Sequence, residues 1–499
     1  MFPRTSLSRC LLVALLAIGE HSLDFHAKAD VSLPRVFGDN MVLQRELELP
    51  VWGTADSAET VTVRFGAQEK RATADPSGHW KVTLDSLPAT VTPAKLTVSG
   101  KNTVEFSNVL VGEVWLCSGQ SNMEMAVDAP AAGAQPATKW SVALAEEVKG
   151  PAQAAIRLFR VEKKLEPPDV VTAGWQECNG EARAKFSAIG YVFARELNKA
   201  LGVPIGVMQS AWGGSRIEPW TPRDAYATAS AFAKEAATES LSIDGVEPGK
   251  NYEAMVQPLA PFAMRGVLWY QGESNIIACN DGLRYADKMR VLIDGWRKAW
   301  HREDLPFYYV QVAPYLYSQR KKDAPPHDEF ELPKLWEAQA RALAIAGTAM
   351  VPTNDLVDDP RNIHPGKKEI VAQRLAEVAL ARIYGKGKGP ALPMFEGAVF
   401  RGNDAVVHLR DTDGGLKSAD GRELNEFEIA GSDGVFTPAV ALLGEDRSLV
   451  TASSEKVSNP TTVRFAWHES SRPNLVTREG WPVYPFSSDI SGPLPATHN

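Results

Sequence analysis

The sequence predicts an α/β protein in which a parallel sheet, with helices on both faces, is flanked by two β-rich modules. Between residues 109 and 385, short apolar runs alternate with amphipathic stretches, which is typical of alternating strands and helices. Residues 30–108 and 390–499 instead show short strands separated by turn residues. A chain of 499 residues is also too long for one ordinary domain.

The first 29 residues are predicted to be a cleavable signal peptide. Arg4 and Arg9 precede the apolar run 11–18, and residues 27–29 (Ala-Lys-Ala) provide the small side chains of a cleavage site. The apolar run is too short to span a bilayer. We therefore expect a secreted or periplasmic protein without a membrane partner.

Both flanking modules show the alternation of half-buried strands. In the N-terminal module, residues 60–65 and 80–84 alternate apolar with polar side chains, which predicts a small β-sandwich. Residues 405–409 show the same alternation in the C-terminal module. The segment 386–390 (Lys-Gly-Lys-Gly-Pro) separates this module from the centre and is interpreted as a linker.

The central region has both a strand pattern and a helix pattern. Four short apolar runs are the strand candidates: 114–117, 205–209, 266–270 and 307–312. One helix is predicted by apolar residues at three- and four-residue steps: Tyr285, Met289, Leu292, Trp296 and Trp300. Strands that alternate with helices predict a parallel sheet that is covered on both faces.

Charge and cysteine content exclude several classes of protein. A formal net charge of -8 argues against nucleic acid or an anionic membrane surface as the partner. After the signal peptide, three cysteines remain (Cys117, Cys178 and Cys279), which allow at most one disulfide. No histidine or cysteine spacing is typical of a metal site, so we expect neither a metal nor a cofactor. The sequence leaves the oligomeric state open.

Four polar stretches contain the candidate site. They are 118–123 (SGQSNM), 210–215 (SAWGGS), 271–275 (QGESN) and 358–365 (DDPRNIHP). Each of the first three directly follows a predicted strand, and the fourth precedes the last predicted helix of the region. In an open parallel sheet, ligands bind at the carboxyl ends of the strands. These stretches are therefore expected to meet at one edge of the sheet.

Ser121 and His364 have both structural and catalytic interpretations. A serine between a strand and a helix start lies among unpaired backbone N–H groups, which can stabilise an oxyanion. Taken alone, Ser121 could instead cap a helix. His364 could be a surface residue, with Pro365 at the first position of the following helix. The four stretches taken together favour the catalytic interpretation.

The segments GQSNM, SAWGG, YQGESN and NIHPGKKE resemble the motifs of the bacterial sialate O-acetylesterase family, which are carbohydrate esterases of the SGNH-hydrolase type. The resemblance includes LPRVFGDNMVLQR near the N-terminus and extends over nearly all of the chain after the signal peptide. It implies an SGNH-hydrolase-like (flavodoxin-like) catalytic domain. It also implies that the protein releases acetate from an O-acetylated sugar or polysaccharide.

The resemblance assigns Ser121 as the nucleophile and His364 as the general base. The acidic member is less well defined, because many hydrolases of this type have an Asp two or three residues before the histidine. Here those positions are Asn362 and Arg361. We predict Asp359 as the third member, and a Ser–His dyad remains the alternative.

The same resemblance suggests groups that bind the oxyanion and the substrate. The backbone N–H of Ser121 is expected to hold the oxyanion, with a second N–H from Gly214 or Gly213. Gln271 is the predicted side-chain donor, and Asn275 is the alternative. Glu273 could bind sugar hydroxyl groups, or it could be a buried acid with a structural role.

Three other functions remain open. The substrate could be acetylxylan or another acetylated polysaccharide. The protein could be a glycosidase that uses paired acids such as Glu113, Glu124 and Glu273. It could also bind glycans without catalysis. An ordinary imidazole at His364 would give a rate that falls with a midpoint near pH ~6–7.

Overall fold

The computed structural model describes residues 30–129, 139–320 and 326–491. The predicted signal peptide, residues 1–29, lies outside this range. Within the described residues, no helix has the length and apolar character that crossing a bilayer requires. Cys117, Cys178 and Cys279 are free thiols.

From residue 30 onward, six strands precede the central sheet: β1 Val42–Gln44, β2 Leu49–Thr54, β3 Thr60–Phe65, β4 Gln68–Thr73, β5 His79–Leu84 and β6 Thr90–Ser99. Strand β2 pairs antiparallel with β5, and β3 pairs antiparallel with β4 and β6. The predicted alternation in β3 is confirmed, because Val61, Val63 and Phe65 are buried and the residues between them are not. Alternate side chains of a strand point to opposite faces.

Strand β7 (Thr103–Gly119) connects the N-terminal module with the central sheet. Its first half pairs with β6 and β1, and its second half lies inside the central sheet. Burial alternates up to Asn108, and every residue from Val109 to Gly119 is buried. Full burial is expected for a strand that is covered on both faces. The predicted boundary between residues 108 and 109 therefore falls within one continuous strand.

Among the described residues, the central sheet has six further strands: β8 Gln153–Val161, β9 Thr172–Cys178, β10 Ile205–Ala211, β11 Gly266–Tyr270, β12 Phe307–Val310 and β13 Thr348–Val351. The order is β13–β12–β11–β7–β10–β8–β9, and every pairing except β8 with β9 is parallel. The chain first builds one side of β7 and then the other. The carboxyl end of β7 is therefore a topological switch point, where a binding crevice is expected.

In the part of the chain that the structure describes, eleven helices accompany the sheets: α1 Ser121–Glu124, α2 Lys139–Glu146, α3 Gly180–Ala184, α4 Ala188–Leu201, α5 Arg223–Thr228, α6 Ala233–Ala236, α7 Lys250–Met255, α8 Glu273–Cys279, α9 Tyr285–Trp300, α10 Glu331–Arg341 and α11 Lys368–Arg382. Helix α4 covers one face, where the Phe193 ring lies 5.0 Å from that of Trp115. Helix α9 covers the other, where the Trp296 ring lies 6.0 Å from that of Trp269. All five residues of the predicted α9 stripe are buried. The predicted parallel sheet with helices on both faces is confirmed.

Up to residue 491, the C-terminal module contains ten short strands: β14 Met394–Arg401, β15 Asp404–Arg410, β16 Leu416–Ser418, β17 Phe427–Ala430, β18 Thr437–Pro438, β19 Val440–Leu443, β20 Leu449–Ser453, β21 Thr462–Phe465, β22 Leu475–Thr477 and β23 Phe486–Ser487. Its two larger sheets, β14–β15–β20–β19 and β18–β17–β21–β23, are antiparallel and enclose a core of their own. The module contacts α10, where the Arg341 guanidinium donates to the Ile490 carbonyl at 2.6 Å.

Candidate active site

Ser121 stands directly after the carboxyl end of β7, on a turn that requires glycine. Gly119 has φ +131°, and a Cβ at this position would lie 2.1 Å from the Tyr270 carbonyl oxygen. The next backbone N–H, that of Gln120, donates to the same carbonyl at 3.0 Å. Only a residue without a side chain lets this turn approach the end of β11 so closely. The turn places Ser121 at the switch point of the sheet, as the first residue of α1.

His364 reaches Ser121 from the loop between β13 and α11. Its Nε2 lies 2.7 Å from the Ser121 Oγ. Its backbone N–H donates to the Asn362 side-chain oxygen at 2.9 Å, which fixes the local turn. Helix α11 begins at Lys368, so Pro365 does not occupy the first helical position. The structure thus brings the predicted nucleophile and the predicted base together, although 243 positions separate them in the chain.

The environment of His364 favours the neutral imidazole. Burial lowers its pKa to about 4, and the nearby Lys368 ammonium lowers it further in the same direction. Burial acts this way because the charged form loses its hydration. The sequence expectation of an ordinary imidazole, with a midpoint near pH ~6–7, therefore differs from what the structure indicates. A neutral imidazole can accept the serine proton at Nε2 when its own proton is on Nδ1.

The observed partner of the Asp359 carboxylate is Arg361. This carboxylate accepts hydrogen bonds from the Arg361 guanidinium, at 2.9 and 3.0 Å, and from the Arg361 backbone N–H. The Asp359 side chain is 47% exposed. Of the charged groups, it is Lys368 that acts on the pKa of His364. The structure therefore assembles Ser121 and His364 without this acid.

The glycine-rich loop after β10 lies against the Ser121 turn. The Trp212 N–H donates to the Gly119 carbonyl at 3.0 Å, and the Gly213 N–H donates to the Glu124 Oε2 at 2.6 Å. A Cβ at Gly213 would lie 3.1 Å from the Ser121 Cβ, so the loop passes directly beside Ser121. Since Glu124 already accepts the Gly213 N–H, Gly214, with φ +78°, is the better of the two predicted donors.

Gln271 and Asn275 are not presented as open donors. Both side chains are completely buried. The Gln271 Nε2 donates to the Asn275 Oδ1 at 2.7 Å and to the Gln120 Oε1 at 3.1 Å, while its Oε1 accepts from the Tyr285 hydroxyl at 2.7 Å. The Asn275 Oδ1 also accepts the Ile217 N–H at 3.0 Å. These amides hold the three loops of the site together, a role that differs from the predicted oxyanion contact.

A cluster of buried charged side chains contacts the Asn275 amide group. The Asn275 amide donates to Glu218 and Asp281 at 3.2 and 2.7 Å, and the Lys288 ammonium lies 2.6 Å from both carboxylates. Glu218, Cys279 and Asp281 have ligand atoms within 4.8 Å of one another, as a metal site would. The Lys288 ammonium and the Arg216 guanidinium, which lies 2.6 Å from Glu218, together balance these two carboxylates, so we interpret the cluster as a structural support of the loops.

Glu273 lies within a second buried network, which the sequence did not reveal. Its Oε1 accepts a hydrogen bond from the Asn122 amide, and the Asn122 Oδ1 accepts from the Lys368 ammonium at 2.6 Å. Glu273 is 1% exposed, and burial raises its pKa. Asn122 and Lys368 stand inside the motifs GQSNM and NIHPGKKE, which is the one signal that could have identified them.

The structure does not support catalysis by a pair of acids that includes Glu113. Glu113 lies on β7 and forms ion pairs with Arg45 at 2.5 Å and Arg265 at 2.8 Å. At about 3.3 Å per residue it stands about 20 Å before Gly119, toward the opposite edge of the sheet. A carboxylate that is buried and paired with two guanidinium groups cannot serve as an acid beside Ser121.

The chain is similar to known proteins in sequence and in fold. A sequence profile described as carbohydrate esterase, sialic acid-specific acetylesterase, matches residues 111–381. The sialate O-acetylesterases of Homo sapiens and Pongo abelii are each 32% identical over 387 residues, which cover 70% of this chain and 70% of theirs. The crystal structure of a carbohydrate acetylesterase from Xanthomonas citri superposes with a TM-score of 0.79 at 32% identity. It covers 92% of this chain and 99% of its own.

The matched segment contains the Ser121 turn, the glycine loop after β10, Glu273 and His364. The profile covers more than half of the chain, and the solved structure matches the catalytic sheet together with most of the flanking modules. The chain therefore belongs to the carbohydrate esterase family of sialic acid-specific acetylesterases, and it is a carboxylic ester hydrolase.

Proposed function

We propose that the protein is a carbohydrate O-acetylesterase in which Ser121 is the nucleophile and His364 is the general base. The observation that carries the proposal is the 2.7 Å contact between the Ser121 Oγ and the His364 Nε2 at the switch point of the sheet. A serine is a weak nucleophile until an adjacent base takes its proton. The low pKa of His364 keeps that base neutral.

The reaction has two steps. The Ser121 Oγ attacks the carbonyl carbon of the acetyl group, and its proton moves to the His364 Nε2. The imidazolium then gives this proton to the sugar oxygen as the ester bond breaks, which leaves an acetyl-serine. Water, deprotonated by His364, hydrolyses the acetyl-serine to acetate and restores the free enzyme.

The negative charge that develops on the acetyl oxygen requires fixed donors. The N–H of Ser121 lies in the first turn of α1, where backbone N–H groups have no acceptor within the helix. The Gly214 N–H lies on the loop beside Ser121. We assign these two backbone groups to the oxyanion, because the Gln271 and Asn275 amides are bonded within the interior.

The substrate class follows from the relatives. Three features agree with an ester of a sugar: the family, the relatives named sialate O-acetylesterase, and the carbohydrate acetylesterase from Xanthomonas citri. We propose an O-acetylated sugar, with acetylated sialic acid as the first candidate and acetylxylan as the second. The predicted signal peptide supports export from the cytoplasm.

Acetate release tests the proposal. The purified protein is incubated with acetylated sialosides, acetylated xylans and p-nitrophenyl acetate, and acetate is quantified against a Ser121→Ala blank. We expect the native protein to release acetate from at least one sugar ester and the Ser121→Ala protein to release none above background. Turnover by the Ser121→Ala protein at the native rate would refute the role of Ser121. An inactive but folded native protein would favour the glycan-binding alternative.

A further inference from the structure

The loop that carries His364 is held on both sides of the histidine by buried side chains. The Asn122 amide donates to the carbonyl of Ile363 at 3.1 Å, and the Lys368 ammonium donates to the carbonyl of Pro365 at 2.8 Å. These carbonyls belong to the residues immediately before and after His364. The two contacts therefore fix the segment of backbone from which the imidazole projects.

Asn122 and Lys368 also contact each other. The Lys368 Nζ donates to the Asn122 Oδ1 at 2.6 Å, and the Asn122 amide donates to Glu273 as well. Asn122 directly follows Ser121 in the chain. The same side chain thus links the nucleophile turn to both the histidine loop and the start of α8.

The position of Lys368 is unfavourable for a positively charged side chain. Lys368 is 3% exposed and is the first residue of α11, where a positive charge opposes the helix dipole. Burial lowers its pKa to about 7, and the negative charge of Glu273 only partly opposes that shift. On the other side, the Glu273 Oε2 has no hydrogen-bond partner among the described residues. Buried polar groups of this kind are costly and are concentrated at functional sites.

We propose that Lys368, Asn122 and Glu273 are positioning residues of this esterase, which hold the His364 imidazole in register with the Ser121 hydroxyl. The inference rests on the proposed roles of Ser121 and His364. Asn122 and Lys368 hold the backbone on either side of His364, and Glu273 orients the Asn122 amide. None of the three is required to touch the substrate.

The test replaces the ammonium by an apolar group of similar shape, in Lys368→Met. A displacement of about 1 Å between reacting groups can reduce the rate about 100-fold. We expect kcat for p-nitrophenyl acetate to fall about 100-fold, while KM changes less than about threefold. Lys368→Gln keeps N–H donors without the charge. Its kcat should therefore be at least about tenfold higher than that of Lys368→Met. A merely structural role would not be rescued in this way.

Lys367→Met is the matched control. Lys367 is the adjacent residue in the chain, but its ammonium bonds to the Asp358 carboxylate at 2.7 Å and not to a carbonyl beside His364. Its kcat should stay within about twofold of the native value. A Lys368→Met protein that is folded and equally active, or one whose defect lies in KM alone, would overturn the inference.

Folding is measured for each variant by circular dichroism and thermal denaturation. If Lys368→Met does not fold because Glu273 is left uncompensated, Glu273→Gln combined with Lys368→Met removes both charges and carries the same kinetic test. Failure of this double variant to fold would also overturn the inference, since the network would then serve the fold. Ser121→Ala in the same assay separates the two proposals. Full activity of Ser121→Ala would refute the role of Ser121 as nucleophile, whereas full activity of Lys368→Met would refute only the positioning role of Lys368.

Discussion

The low pKa of His364 predicts that the esterase remains active in mildly acidic solution. The perturbation is a decrease in pH from 7.5 to 5.5. An imidazole with an ordinary pKa near 6.5 would be only about 9% neutral at pH 5.5. With a pKa of about 4, His364 would be about 97% neutral at the same pH. The two cases differ about tenfold in the fraction of enzyme that can accept the Ser121 proton.

The direction of the pH dependence follows from which form of His364 is active. Protonation removes the lone pair that accepts the serine proton, so the rate is lost as the pH falls through the pKa of His364. The profile of kcat/KM reports this pKa in the free enzyme. We therefore expect kcat/KM to fall with a midpoint near pH 4 and to be level from pH 7.5 to about 5.5. Lys368, whose pKa is about 7, also titrates in the upper range, but its neutral amine still has the two N–H groups that donate to Asn122 and to the Pro365 carbonyl.

The assay measures p-nitrophenyl acetate hydrolysis below KM, with the product read after neutralisation because p-nitrophenol is colourless in acid. Each sample is also returned to pH 7.5 and assayed again, which separates protonation from irreversible acid inactivation. A reversible midpoint between pH 6 and 7 would show that His364 titrates as an ordinary imidazole. That result would refute the argument that burial and the Lys368 charge keep the base neutral.

Three substitutions give further tests in the same assay. Ser121→Ala should lower kcat about 10⁴-fold or more with no change in the far-ultraviolet circular dichroism spectrum, since removal of a nucleophile abolishes the covalent route. A loss of less than tenfold would exclude Ser121 as the nucleophile. Glu124→Gln should lower kcat about tenfold, because a neutral amide oxygen holds the Gly213 N–H less strongly than a carboxylate does. An unchanged kcat would show that this contact does not order the loop. Asp359→Asn should keep kcat within about threefold, since its carboxylate bonds to Arg361, whereas a loss of 100-fold would restore Asp359 as a triad member.

Much of the central sheet was predictable, because buried strands and amphipathic helices have periodic patterns. The strand 266–270 was predicted with its observed ends, and the stripe from Tyr285 to Trp300 gave α9. The contact between Ser121 and His364 was also within reach of sequence reasoning. The carboxyl ends of parallel strands share one edge, and three of the four polar motifs follow predicted strands. The family resemblance added the assignment of His364 as the base.

What the sequence could not provide is which polar groups are already satisfied. Gln271 and Asn275 are reasonable oxyanion donors by residue type, but their hydrogen atoms are used by acceptors from distant segments. Lys368 in the first turn of a helix resembles a solvated lysine. Its burial depends on the His364 loop and on the Tyr270 ring, 5.8 Å away, which no local pattern encodes.

The continuity of β7 makes the N-terminal module part of the catalytic unit. The strand begins in that module, where Leu110 pairs with Val42 of β1, and it ends at the turn that presents Ser121. Between these points Glu113 is completely buried, and Arg45, which follows β1, supplies one of its two guanidinium partners. Loss of such a partner leaves a buried carboxylate uncompensated and strongly destabilises the fold. The position of Ser121, the proposed nucleophile, therefore depends on the module's own fold, and this dependence is a sufficient reason for the module even if it contacts no substrate.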